Sequence, residues 1–297
     1  MESEQIAIDL ARRPDSVELF GPGVISTPLV ERDFAISPDG EEIIFTRGDY
    51  RQNYRCLFRM IRQGKKWSAL EILPFSGEFQ DIEPFISPDG DLLYFSSNRP
   101  FYTESAGDYN IWVAERQGDQ WVNPRALDTT INKRSDEFFP SVAFSGNLYF
   151  TASRPGGRGL EDIFVSRKVN GVFQQPEPLD SNINSKTYEF NAYVSPAEDL
   201  IIFSSYGRED DLGGGDLYLS KKVNGEWSPA INCTAINSEK LDYCPFVDFA
   251  NGTFYFTSER LAGSRIIRSP NDLKDMADRP GNGLGDIYRI NLSRLPL

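Results

Sequence analysis

The sequence of 297 residues contains no histidine. Serine–histidine–aspartate and cysteine–histidine nucleophile systems are therefore excluded, and so is zinc bound through histidine. Three cysteines are present, Cys56, Cys233 and Cys244, and none of them forms a CxxC pair. A Cys233–Cys244 disulfide is compatible with this spacing, but buried free thiols are favoured. Cysteine usage leaves the redox compartment open.

Long apolar runs and an excess of positive charge are also missing. No run approaches the roughly 18 apolar residues of a membrane-spanning helix, and the N-terminus has no apolar signal-peptide core. The chain has 44 acidic and 31 basic residues, a net charge of −13. This charge disfavours nucleic acid and anionic membrane surfaces as partners. We therefore expect no nucleic-acid partner and no membrane span.

What the sequence does contain is a repeat. Residues 81–99 have the pattern of a strand, a tight Ser-Pro-Asp-Gly turn at 87–90, and a second strand. The pattern returns along the chain, and the spacing of its marker phenylalanine is 50, 55, 53 and 53 residues. A period of this size is typical of a repeat architecture. The marker residues are Phe45, Phe95, Phe150, Phe203 and Phe256.

Each repeat adds a third strand, and in the first four repeats an aromatic residue 11 positions after that strand's start marks a fourth. The fifth repeat ends at Leu297 without its fourth strand, and residues 17–20 can supply the missing one. The sequence therefore predicts an all-β fold, a five-bladed β-propeller of four-stranded antiparallel blades whose last blade is closed by an N-terminal strand. The third strands start at Cys56, Asn110, Asp162, Asp216 and Asp286, and the aromatic markers are Trp67, Trp121, Phe173 and Trp227.

The predicted domain organisation is an N-terminal extension, residues 1–15, and a single propeller domain, residues 16–297. From the marker phenylalanine to the third strand the distance is 11 to 15 residues in four repeats but 30 in the fifth. We therefore expect an insertion over residues 261–284. Ser269, Pro270 and Asp272 predict the start of a short helix within it.

These motifs resemble the PD40 (WD40-like, TolB-type) propeller repeats over residues 31–291. The resemblance rests on the Ser-Pro-Asp-Gly turn, the strand that leads to Arg99, and the Asp-Ile-Tyr start of a third strand at 286–288. The Asp-x-x-Ile-Asn runs at 128–132 and 180–184 are similar to repeats of bacterial cell-envelope proteins. The resemblance implies a binding or scaffolding propeller in the periplasm or cell envelope.

One acid recurs where each innermost strand begins, and one arginine recurs after each second strand. They could form a charged ring that captures a ligand at the channel mouth. The alternative, favoured because the feature is repeated in every blade, is that ion pairs brace the blades. The acids are Glu31, Asp81, Glu137, Glu189 and Asp242. The arginines are Arg99, Arg154, Arg208 and Arg260, with Arg47 slightly displaced.

Some residues break the repeat on the loop-rich face and are therefore suited to a unique role. The carboxylates and glycines of residues 208–216 could form a calcium loop, but a solvated loop is favoured and no metal site is expected. The aromatic markers of the fourth strands are expected to pack between blades. The residues that break the symmetry are Phe101, Tyr102, Glu104, Arg158, Arg265 and Arg268.

The predicted function is that of a monomeric, non-enzymatic binding or scaffolding propeller without a cofactor. Its partner would be a protein or an envelope glycan bound at the loop-rich channel mouth. The alternative is a carbohydrate-binding or glycoside-hydrolase-like propeller that uses channel carboxylates. A hydrolase would need one channel carboxylate with a raised pKa beside an ionised one, whereas a binding module would have five similar, arginine-paired carboxylates.

Overall fold

The Ser-Pro-Asp-Gly turns fold the first two strands of a repeat back on each other. In the first repeat the Ser37 hydroxyl oxygen accepts the Glu42 amide at 2.8 Å, and the Gly40 amide donates to the Ser37 carbonyl at 2.8 Å. Ser87 accepts the Leu92 amide in the same way at 3.0 Å. The serine thus fixes the turn from inside, and glycine occupies the position that needs a positive φ.

In a computed structural model, which describes residues 8–102, 104–263 and 266–297, the repeats form five antiparallel blades. The innermost strands are Val30–Ile36, Asp81–Ile86, Glu137–Val142, Tyr188–Val194 and Asp242–Asp248. The second strands are Glu42–Gly48, Leu92–Ser97, Leu148–Ala152, Leu200–Tyr206 and Thr253–Ser258. The third strands are Arg55–Gln63, Asn110–Gln117, Asp162–Ser166, Asp216–Val223 and Asp286–Asn291.

The outer strands are shorter and are mostly interrupted. In blades one, three and four, a two-residue strand at the hairpin is followed by a second short strand. The outer strands are Lys66–Trp67 and Glu71–Ile72, Gln120–Ala126, Val172–Phe173 and Glu177–Pro178, and Glu226–Trp227 and Ile231–Asn232. Lys168–Val169 pairs with Val172–Phe173 in the third blade.

The ring closes through the N-terminal segment. Strand Glu18–Leu19 pairs with Asp286–Asn291 as the outer strand of the fifth blade. The innermost strands contact one another in sequence, and the fifth contacts the first. Phe20 packs at the junction of the fifth and first blades. Its ring centroid lies 5.0 Å from that of Tyr255 and 5.2 Å from that of Phe34. The predicted five-bladed propeller, including its closing strand, is confirmed.

The marker phenylalanines form the core of each blade, and all five are fully buried. In four blades each stands 6.1 to 6.2 Å from an aromatic ring of the third strand. The asparagines of the Asp-x-x-Ile-Asn runs hold the third strands of the second and third blades. Asn132 and Asn184 are buried, and each hydrogen-bonds both the amide and the carbonyl of one third-strand residue.

The predicted helix in the insertion is present. Helix α1, Pro270–Ala277, begins at the N-cap Ser269, and the Ser269 and Asp272 side chains exchange hydrogen bonds with each other's backbone amides. None of its residues is buried. The base of the insertion is closed by a bridge between Leu261 and Asn282 and by the Ala262 amide on the Gly281 carbonyl, 2.8 Å.

Candidate functional site

The repeated acids and arginines form one ion pair in every blade. All five carboxylates are 0% exposed, and the arginine side chains are between 8% and 19% exposed. The N–O distances are 2.8 Å for Arg47–Glu31, 2.9 Å for Arg99–Asp81, 2.5 Å for Arg154–Glu137, 3.0 Å for Arg208–Glu189 and 2.7 Å for Arg260–Asp242.

Each pair also binds the connection that enters its blade. Arg208 and Arg260 donate to the carbonyl oxygens of Ile183 and Ile236, and the other three arginines bond carbonyls at the corresponding places. In four blades the carboxylate also accepts the amide of the residue four positions before it. These contacts suit bracing, because capture of a ligand by this ring would require the carboxylates to leave their internal partners.

Burial sets the electrostatics of these acids. Desolvation raises the pKa of Glu31, Asp81 and Glu137, and the arginine beside each only partly offsets it. The pKa of Glu137 reaches about 7. These carboxylates are held by partners inside the protein and do not have the solvent access of a ligand-binding carboxylate.

A second set of residues meets on the propeller axis. Each innermost strand contains a β-bulge, and the residue two positions after the repeated acid has a positive φ of 50° to 61°. A bulge re-aims its side chain, which here brings one residue of each blade to the axis. These residues are Asp33, Glu83, Phe139, Asn191 and Cys244.

The axial residues form an ionic network with Arg32. The Arg32 Nε lies 2.9 Å from both oxygens of Asp33, and its Nη2 lies 3.0 Å from Glu83 Oε1. The Cys244 thiol donates to Asp33 Oδ1 at 2.7 Å. Glu83 also accepts the Phe139 amide on Oε2 at 2.7 Å and the Asn191 side-chain amide on Oε1 at 3.3 Å. Both oxygens of Glu83 are therefore occupied within the protein.

Burial, and then the nearby Asp33 charge, raise the pKa of Glu83 to about 7, although Arg32 opposes them. Its side chain is 3% exposed. The network is thus a buried floor that joins all five blades, since its members come from every innermost strand, the third through the Phe139 amide.

Above this floor lies the axial cavity, a space of about 230 Å³ on the loop-rich face. The residue directly after each repeated acid contributes to its wall, so all five blades take part. These residues are Arg32, Ile82, Phe138, Phe190 and Tyr243. Four of these five side chains are apolar or aromatic, while Glu83, Thr151 and Asn191 add polar groups to the lining. Apolar walls combined with a few placed polar groups are typical of binding sites.

Two further charged groups line the axial cavity, Arg55 and Glu161. Arg55 is held by neutral partners: its Nε donates to Gln80 at 2.7 Å, and its Nη2 donates to the Tyr109 hydroxyl. Burial raises the pKa of Glu161, and the Asp136 charge adds to this effect. Among the described residues, no opposite charge forms a salt bridge with either group, so both remain available to a ligand.

The symmetry-breaking residues lie elsewhere on the surface. The ring centroids of Tyr102 and Phe101 lie 4.6 Å apart, and the Tyr102 hydroxyl donates to the Asn132 carbonyl at 2.8 Å. Glu104 is exposed. Arg158 and Arg268 are exposed, and their backbone amides donate to Asp162 and Asp272. Of the described residues that line the axial cavity, none belongs to this set. Arg265 lies outside the described residues, and the role of the set stays a prediction.

The insertion rises beside the axial cavity. Leu241 lines the cavity, and its carbonyl accepts the Glu259 amide at 2.9 Å, two residues before the insertion begins. Asn282, at its other end, donates to the Pro28 carbonyl of the first blade at 3.1 Å. The base of the insertion therefore spans the junction of the fifth and first blades at the cavity rim.

Within the described ranges no group of three Cys, Asp or Glu side chains is arranged to hold a metal ion, and no helix has the length and apolarity to cross a bilayer. Trp67, Trp121 and Trp227 are buried in packing. The three cysteines are free thiols, and Cys233 and Cys244 are buried.

The axial network and Arg55 are functional candidates that the sequence interpretation missed. One pattern sets the axial positions apart, but not Arg55: the two residues after each repeated acid vary strongly between blades, whereas the acid position is always Asp or Glu. Variation at a fixed position of a repeat indicates a role outside the shared architecture. The bulge that turns these residues toward the axis leaves no comparable pattern.

No protein-family model matches the sequence, and no curated protein matches it. Solved structures do match. The match to a glycoside hydrolase covers 97% of this chain and 90% of the hydrolase chain, at 8% identity and a TM-score of 0.54. The match to the catalytic domain of the Coprinopsis cinerea GH62 alpha-L-arabinofuranosidase covers 94% of this chain and 96% of that domain, at 10% identity and a TM-score of 0.52. These two likenesses show a shared fold alone.

A match to a protein of Agrobacterium tumefaciens assigned as TolB covers 82% of this chain and 74% of that protein, at 18% identity and a TM-score of 0.49. The PD40 resemblance of the repeats stays a prediction.

Proposed function

We propose that the protein is a non-enzymatic binding propeller that receives a peptide segment of a partner protein in the axial cavity. Arg55 would bind an acidic group of that segment, and Glu161 would bind a basic one. The aromatic wall formed by Phe138, Phe190 and Tyr243 would hold its apolar part. The observation that carries this proposal is the contrast between Glu83, which is saturated internally, and Arg55, which has neutral partners only.

The same contrast argues against catalysis. A general acid or base must come within hydrogen-bond reach of the proton it transfers. Glu83 has both oxygens occupied and is 3% exposed, and Asp33 is held by Arg32, Cys244 and the Glu83 amide. One accessible carboxylate, Glu161, does not supply the pair that glycoside hydrolysis requires.

The insertion at the rim would enlarge the surface offered to the partner.

A second candidate function is glycoside hydrolysis. It is favoured by the pKa of Glu83, about 7, next to the Asp33 carboxylate in the propeller channel. The overall fold shared with a glycoside hydrolase and with an arabinofuranosidase also supports it. It would require the axial network to open so that Glu83 reaches a substrate.

The location that we propose is the periplasm or cell envelope, and its support is the resemblance of the repeats to those of envelope proteins. A monomer would suffice for the proposed binding, because all five blades that form the axial cavity belong to one chain.

Affinity capture tests the proposal. The wild type, Arg55→Gln, and Arg125→Gln on the exposed outer strand of the second blade would be immobilised and exposed to a bacterial envelope extract. We expect a polypeptide that the wild type and the Arg125 variant retain equally and that the Arg55 variant retains roughly tenfold less. Equal retention by all three proteins would overturn the proposal.

A parallel assay addresses the second candidate. The same proteins and Glu83→Gln would be incubated with a panel of oligosaccharides, and released reducing sugar would be measured. We expect no release. Release by the wild type that Glu83→Gln abolishes would replace the binding proposal with hydrolysis.

A further inference from the structure

The opposite end of the channel has a different chemistry. There the turns between first and second strands surround the turn-face cavity, a space of about 200 Å³. Its wall is formed by apolar side chains of the innermost strands and by prolines and phenylalanines of the turns. Among the described residues that line it, Asp248 alone is charged.

Two aromatic side chains of the turn-face cavity point into solvent. Phe144 is 74% exposed and Phe249 is 50% exposed, whereas the marker phenylalanines are fully buried. The turns that carry them are held in place, because the Phe144 amide donates to the Pro196 carbonyl at 2.9 Å and the Asn251 amide donates to Asp248 at 3.0 Å. Rigidly presented apolar rings of this kind are characteristic of interaction sites.

The turn-face cavity is separate from the axial cavity. Tyr193 closes its floor, since its ring lies 6.4 Å from Phe85 and 5.5 Å from Phe246. The Tyr193 hydroxyl donates to the Val247 carbonyl of the neighbouring fifth blade at 3.2 Å. The two cavities have no lining residue in common.

The charge around the turn-face cavity indicates what it would bind. Asp39 and Asp89 are exposed and directly follow Pro38 and Pro88 of its wall. The Ser87 hydroxyl holds the pKa of Asp89 below its ordinary value, so this carboxylate is ionised at neutral pH. An apolar recess with carboxylates beside the turns of its first and second blades complements an apolar side chain flanked by cations.

The neighbouring surface provides room for a longer segment. A groove of about 510 Å³ shares Pro38, Asp248 and Ala250 with the turn-face cavity. Asp9 and Asp39 line this groove together with Arg62 and Lys65, so it offers charged groups of both signs to the residues that flank the apolar side chain.

We propose that the turn-face cavity is a docking site for an extended segment of another protein. The segment would place an apolar side chain between Phe144 and Phe249 and a lysine or arginine beside Asp39 or Asp89. This site goes beyond the binding proposed at the axial cavity, and the two faces together would let the propeller bridge two partners.

Selection from a displayed random-peptide library tests this inference. The variant Phe144→Ser/Phe249→Ser removes both exposed rings, and Val172→Ser, at another exposed apolar residue on an outer hairpin, is the matched control. Thermal unfolding would verify that each variant is folded. We expect the wild type to select peptides with an apolar residue next to Lys or Arg. These should bind the double variant roughly tenfold more weakly and the control equally.

A charge variant tests the ionic part. Asp39→Asn/Asp89→Asn should weaken the selected peptides several-fold and flatten the salt dependence of their binding. Selection without basic residues, or equal binding to the double phenylalanine variant, would overturn the inference. A wild-type dimer that the phenylalanine variant dissociates in sedimentation would also overturn it, because the occupant would then be a second copy of this chain.

Discussion

Arg32 of the first blade and Glu83 of the second are joined at the propeller axis, with Nη2 3.0 Å from Oε1. The Glu83 carboxylate also bonds the third and fourth blades, through the Phe139 amide and the Asn191 side chain. One buried carboxylate therefore links four innermost strands. If Arg32 or Glu83 left this network to bind a ligand, a buried ion pair would be broken and the fold would be destabilised.

Arg32→Met should destabilise the protein strongly. It leaves the buried carboxylates of Asp33 and Glu83 without their cation, and removal of one partner of a buried ion pair typically costs roughly 3–5 kcal/mol. Urea unfolding at pH 7 measures the loss. Arg167→Met, which breaks the exposed pair with Glu177, should cost less than about 1 kcal/mol. Equal losses would contradict the structural role given to Arg32.

Glu83→Gln should change the pH dependence of stability. The pKa of Glu83 is about 7 in the folded protein against an ordinary value of 4.5, so its protonation favours the folded state. This contribution is complete below pH 4.5 and is lost as the pH rises toward 7. The unfolding free energy of the wild type minus that of the variant should therefore fall over this window, by at most about 1.4 kcal/mol per pH unit.

Unfolding curves at several pH values between 4.5 and 8 would give this difference. Glu137 and Asp286, whose pKa values are also about 7, are present in both proteins and cancel. Parallel pH profiles of wild type and variant would show that Glu83 does not titrate in this range.

Phe20→Ala tests closure of the ring. Phe20 is buried between Tyr255 of the fifth blade and Phe34 of the first, and its truncation leaves a cavity at that junction. Comparable core substitutions cost roughly 3–5 kcal/mol. Thermal and urea unfolding measure the cost. A loss below about 1 kcal/mol would mean that the N-terminal segment does not hold the ring closed.

The cysteines should differ in reactivity. Burial raises the pKa of the Cys233 thiol to about 12 and holds that of the Cys244 thiol well above its ordinary value, while Cys56 is only partly buried. A thiol reagent at pH 8 should therefore label Cys56 first and the other two only after unfolding. Peptide mapping by mass spectrometry identifies the labelled residues. A Cys233–Cys244 disulfide in the map would contradict this result.

The sequence predicts the architecture well because the architecture is what repeats. The marker phenylalanines, the serine turns and the capping residues Ser269 and Asp272 act through local hydrogen bonds and a periodic core, and each leaves a pattern. The pairing of each repeated acid with its arginine could also be inferred, since both recur at fixed positions. The complete burial of the acids could not, because it depends on how the connection before each blade folds over them.

The axial cavity could not be predicted for a related reason. Asp33, Glu83, Asn191 and Cys244 meet only because a bulge in each innermost strand turns them toward the axis. The periodic pattern alone does not distinguish a bulged strand from a regular one. Arg55 belongs to a third strand, and its approach to the axial cavity depends on its contacts with Gln80 and Tyr109 of the second blade.

The most direct test of binding at the axial cavity is photo-crosslinking. A benzophenone amino acid in place of Phe190, on the cavity wall, would be compared with the same group in place of the exposed Val172. After incubation with envelope extract, position 190 should yield a crosslinked polypeptide, and adding Arg55→Gln should reduce its amount roughly tenfold. Equal crosslinking from both positions, or a position-190 adduct that does not depend on Arg55, would contradict the assignment of the axial cavity as the binding site.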